Sequence, residues 1–153
     1  MGRGGAYLGA SGTTLVTEAT DLATTYRAGK SKHVAILAGG TNDLGTGAAS
    51  AATVLGYAQS WATTMKGAGW YVAICTVATR GDAAWSGAKE TQRLAYNSGL
   101  SGLSDLDAVI DVAGLTELSD PNNATYFDTD KLHWLDPAFV AVEALIRPVV
   151  LAA

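Results

Sequence analysis

The chain has 153 residues, of which 48 % are hydrophobic and 16 % charged, enough apolar material for one domain with a real core and too much for a disordered chain. A formal net charge of −4 argues against a nucleic-acid partner held by a basic surface. One cysteine excludes an internal disulfide framework and a multi-cysteine zinc site, and no apolar run reaches the ~18 residues of a membrane span. The first residues lack the apolar stretch of a signal peptide, and the compartment stays open.

Ala6 to Leu8 is a short apolar stub that stops at Gly9, and residues 9–14 read as a turn. A helix is expected over Leu15 to Arg27, with Thr14 as its cap, followed by a break at 29–32. His33 to Ala38 is a continuous apolar run, the mark of a strand covered on both faces. Residues 39–47 form a loop. Ser50 caps a second helix that runs to about Lys66 and stops at Gly67 and Gly69. Trp70 to Val77 is the next strand, and the loop from Thr79 carries Trp85. A third helix covers about 88–100, and a short strand covers 108–112. A long polar loop spans 114–134, and a last helix starts at Pro137 and ends near Pro148. Strands alternating with helices imply a parallel sheet in a three-layer α/β fold, with the site in loops at the carboxyl edge.

Polar residues gather in three such places: Gly9-Ala10-Ser11-Gly12, Gly40-Thr41-Asn42-Asp43 and Asp130-Lys131-Leu132-His133. A carboxylate and an imidazole three residues apart can meet on one turn, where Asp130 would hold the His133 tautomer for general-base catalysis. The Asn42 amide and the backbone N–H of Gly12 are the parts of an oxyanion hole. Read singly, Ser11 is a helix cap, Gly39 and Gly40 serve a tight turn, and Asn42 and Asp43 are turn formers. His33 reads as surface, and Cys75 as a small buried hydrophobe. Arg80-Gly81-Asp82 lies at the expected site edge and reads as pocket lining, while Trp85, Tyr126 and Trp134 suit either an aromatic wall or core cover. The glycine-rich loop fits neither phosphate-binding spacing, and the scattered acids and two distant histidines give no metal cluster.

With the three blocks in this order, the chain resembles the GDSL/SGNH hydrolase family over residue 7 to the end. Gly40-Thr41-Asn42-Asp43 is similar to that family's third block and Asp130-Lys131-Leu132-His133 to its fifth, while Gly9-Ala10-Ser11-Gly12-Thr13 resembles its second. The resemblance implies a single flavodoxin-like, SGNH-type domain over 1–153 that hydrolyses a short acyl ester or a carbohydrate O-acetyl group without a cofactor. It implies His133 as base, Asp130 as its orienter, and Asn42 and Gly12 as oxyanion donors. Asp43, Arg80, Trp85 and Trp134 are expected to line the substrate site. The family's first block, with its nucleophilic serine, has no counterpart here, so an N-terminal βα unit is expected to be missing. A rival alignment takes Ser11 as the nucleophile. The alternative expectation is an inactive remnant serving binding or assembly, its sheet completed by a second copy or a partner chain.

Overall fold

The computed structural model describes residues 7–9 and 15–153; the expectations that fall on Ala6, Ser11, Gly12 and Thr14 lie outside them. Three strands, β1 (Val34–Leu37), β2 (Tyr71–Cys75) and β3 (Ala108–Ile110), form a parallel sheet in the order β1-β2-β3. Val34 stands opposite Tyr71 and Ile74 opposite Val109. The helices are α1 (Leu15–Ala23), α2 (Thr41–Leu44), α3 (Ala51–Gly67), α4 (Gly87–Gly99) and α5 (Asp136–Ala152).

The side-chain period of two along each strand sorts the core. Ala35, Leu37, Val72 and Ile74 point to one face, where they meet Ala19 of α1 and Val54, Ala58, Trp61 and Met65 of α3. Ala73, Cys75 and Ile110 point to the other and meet Ala138 of α5, with Val142, Leu145 and Ile146 packed beside it. Apolar positions of α3 recur every three or four residues and bury one stripe against the sheet, as a half-buried helix requires. The sheet therefore carries helices on both faces. Among the described residues, no helix is long and apolar enough to cross a membrane.

Several boundaries differ from those the sequence suggests. Helix α1 stops at Ala23 rather than Arg27 because the Thr24 and Thr25 hydroxyls donate back to the carbonyls of Asp21 and Leu22, closing a turn. Tyr7 to Gly9 bends instead of forming a strand, and the carbonyls of Tyr7 and Leu8 accept from the first amides of α1 at 3.1 Å. The expected loop 39–47 contains α2, entered through Gly40 at φ +102°. Strand β3 ends at Ile110, and residues 112–114 coil into a 3-10 turn closed by the Asp111 side chain. Helix α5 does not end near Pro148 but runs through it to Ala152. Proline costs the interior of a helix one hydrogen bond, yet the last carbonyls are not left bare: Lys32 Nζ donates to Val150 O and Leu151 O.

Asp43 occupies the centre of this arrangement. It is fully buried, and its two carboxyl oxygens accept from the amides of Leu8 (2.7 Å) and Gly9 (2.9 Å). That clamps the 7–9 segment onto α2, with Gly9 pressed against the Tyr57 ring where a Cβ would meet ring atoms at 2.3–2.5 Å. Asp43→Ala leaves the buried amide of Leu8 and the partly buried amide of Gly9 without this acceptor. It should cost about 2–4 kcal/mol in urea unfolding, since each orphaned donor forfeits ~1–3 kcal/mol. Hydrogen exchange at Leu8 and Gly9 should accelerate in the same variant, and a loss below about 1 kcal/mol would refute the clamp.

Candidate active site

Parallel strands send all their carboxyl ends to one edge, so the segments after β1, β2 and β3 converge there. They enclose a cavity of about 340 Å³ between that edge and α5. Thr41 and Asn42 enter it from α2, Thr76 to Arg80 from the end of β2, and Leu132 to Trp134 from the loop before α5.

His133 and Asp130 meet at its mouth. The loop that bears them is closed like a hairpin: Asp128 N donates to His133 O at 2.8 Å and Leu135 N to Tyr126 O at 2.9 Å, with an antiparallel bridge between Phe127 and Trp134. Lys131 makes the reversal at φ +58°, a left-handed backbone that is uncommon outside glycine. Asp130 then works with both oxygens. Oδ1 accepts from the amides of Leu132 and His133, each at 2.9 Å, and Oδ2 lies 2.5 Å from His133 Nδ1. The His133 amide, then its ring, then the Leu132 amide favour the charged carboxyl and hold Asp130 down to about 2. The pair is solvent-facing, with side-chain exposures of 74 % for His133 and 45 % for Asp130. His133 Nε2 has no hydrogen-bond partner among the described residues, so it is the ring nitrogen available for proton transfer.

The other expected site residues divide. Asn42 lines the cavity on α2, half-buried, as does Trp134, which meets Phe139 edge-on at 5.9 Å between ring centres. Arg80 lines it too but is 5 % exposed and heavily engaged. Its Nε donates to the Asp82 carboxylate, Nη1 reaches Thr41 O at 3.3 Å, and the guanidinium lies 5.0 Å from the centre of the Trp85 ring. The Asp82 carboxyl sits below its usual range, chiefly through that bond from Arg80. Trp85 and Asp43 are not on the cavity wall. Trp85 Nε1 donates to Glu90 at 3.0 Å, and Asp43 faces the core. Ser11 and Gly12 lie outside the described residues. Gly81 N donates to Lys131 O at 2.9 Å, so the dipeptide Arg80-Gly81 braces α2 on one side and the His133 loop on the other.

Sequence reasoning missed the apolar wall. Phe139, Val142 and Ile146 of α5 line the cavity at spacings of three and four, a periodicity present in the sequence but readable only as core. Cys75 is buried as expected, and it also borders the cavity, with burial pushing its thiol up to about 11. His33 lies at the amino end of β1, away from this edge, stacked on Tyr26 with ring centres 4.0 Å apart. Among the described residues, no group of three or more His, Cys, Asp or Glu side chains is placed to hold a metal ion. No family model matches the chain, and no curated protein matches it.

Because the folded-state value of Asp130 is depressed, its support of the loop is complete above the ordinary value of 3.8 and fades as the pH falls toward 2. Carboxyl carbon NMR should place its midpoint near 2. In His133→Ala both backbone amides still donate, so the midpoint should rise but stay below 3.8; a return to 3.8 would contradict the loop geometry.

Proposed function

We propose that the chain is a hydrolase of carboxylic esters, of the SGNH type that its three sequence blocks resemble. One observation carries the reading: an Asp130-braced imidazole and the Asn42 amide open onto the same cavity. In this mechanism the ester carbonyl sits between them. His133 Nε2 takes the proton of the attacking hydroxyl, and Asp130 holds the ring by Nδ1 and stabilises the imidazolium that forms. The Asn42 amide, with the Gly12 N–H that the resemblance adds, meets the charge that grows on the carbonyl oxygen. His133 then returns the proton to the leaving alcohol. The attacking hydroxyl is that of a water molecule, which gives the acid directly, or that of Ser11, whose acyl ester is then cleaved by a water that His133 deprotonates in turn.

The test is turnover of p-nitrophenyl esters by the purified chain beside three variants. Asn42→Ala should lower kcat by about 10²–10³, the effect of losing one oxyanion donor. His133→Ala should lower it at least as far. Ser11→Ala assigns the nucleophile: loss makes it the serine, and retention makes it water. Wild-type turnover that survives both His133→Ala and Asn42→Ala would end this reading.

A second reading, a binding or assembly module, draws on β1. Its Val-Ala-Ile-Leu run has the composition of a central parallel strand, yet β1 pairs on one side only among the described residues. In this reading the chain associates through that edge. Sedimentation equilibrium should then show a dimer, and a monomer at about 100 µM would remove this reading.

A further inference from the structure

The site described above is narrow in its polar chemistry and wide in its apolar chemistry. The polar lining of the cavity is Thr41, Asn42, Thr76, Thr79, Arg80 and His133, of which Thr76 already bonds Asp111 and Arg80 already bonds Asp82. Much of the remaining wall is apolar and includes Ala38, Cys75, Val112, Phe139, Val142 and Ile146. A polar acyl group set against that apolar wall would go without partners, at a cost of ~1–3 kcal/mol per group. A hydrocarbon chain would lose nothing and would cover a Phe139 side chain that is 55 % exposed.

We infer that this cavity takes the acyl part of the substrate, an unbranched aliphatic chain of about eight carbons. The inference rests on the hydrolase reading for the position of the ester carbonyl beside His133 and Asn42. Length follows from α5. Phe139 to Ile146 is seven residues, about 10 Å of helix at 1.5 Å per residue. An extended chain advances about 3.3–3.6 Å over three bonds, so ~10 Å accommodates about eight bonds. The Trp134–Phe139 contact places the amino end of α5 beside the His133 loop, so the chain runs from His133 along the apolar face toward Ile146. The alcohol part leaves through the open mouth, and nothing in the cavity selects it.

Two measurements test this together. Hydrolysis of p-nitrophenyl acetate, butyrate, hexanoate, octanoate and dodecanoate should show kcat/KM rising about threefold to fourfold per methylene up to octanoate, then levelling or falling. Ile146→Phe, which fills the far end, should cut the octanoate-to-butyrate ratio at least tenfold. In parallel, sodium butyrate and sodium octanoate are titrated calorimetrically into the wild-type chain, which needs no turnover and no variant. Octanoate should bind on the order of 10² times more tightly, as four buried methylenes imply. If no ester is hydrolysed but octanoate still binds with that preference, the hydrolase reading falls and the acyl cavity stands. If esters are hydrolysed with acetate preferred, the acyl cavity falls and the hydrolase reading stands. Carboxylates that bind equally weakly, whatever their length, overturn the inference.

Discussion

The parallel register of three short strands is the constraint on which the site depends. Because β1, β2 and β3 run the same way, every segment that leaves a strand does so at one edge. β2 is the middle strand, and its extension from Thr76 to Arg80 forms the floor between the other two. Arg80 and Gly81 then reach in opposite directions, one to the carbonyl of Thr41 and the other to the carbonyl of Lys131. The two halves of the candidate site are thus tied to the one segment that follows β2, by the Arg80 side chain on one side and the Gly81 amide on the other. A shift of either half has to stretch one of these hydrogen bonds.

Carboxyl groups convert local sequence into this geometry by taking backbone amides that no helix or strand would satisfy. Asp43 does so inside the core and Asp130 at the surface. Neighbouring residues in a helix point about 100° apart. With Asp43 turned to the core, the next position on the helix, Asn42, faces the cavity. Asp130 couples fold and chemistry more tightly still, since the residue that shapes the loop is the one that orients the imidazole.

Much of the architecture was legible because its signals are local. Ser50 caps α3 by accepting from Thr53 N, and Pro137 opens α5, as such residues do wherever they stand. The apolar run at 34–37 could only be a covered strand, and the Asp130–His133 spacing already foretold a turn on which the two would meet. The errors at Pro148 and Asp43 originate in distant contacts, and those at Trp85 and the end of α1 in local ones. Pro148 reads as a stop, but Lys32, more than a hundred residues earlier, reaches the end of α5. Asp43 reads as a site residue because it adjoins Asn42, and only the amides of Leu8 and Gly9 show where its carboxyl goes. Trp85 reads as wall because it follows the Arg80 loop, yet Glu90 holds its ring nitrogen away from the cavity. The apolar wall of α5 was invisible for a different reason. A helix stripe facing a cavity and one facing a core have the same spacing, and only the missing neighbour distinguishes them.

Cys75 gives this architecture an unintended use. It is the chain's single cysteine, and it lines the cavity at the end of the central strand. Burial keeps it a neutral thiol across the whole working range of a protein, so its S–H bond persists as a small vibrating dipole in the wall. Thiol stretching absorbs in an infrared window that other protein groups leave clear. The chain therefore carries its own intrinsic reporter of wetness, whose frequency distinguishes a cavity filled with water from one filled with hydrocarbon, without any label being attached.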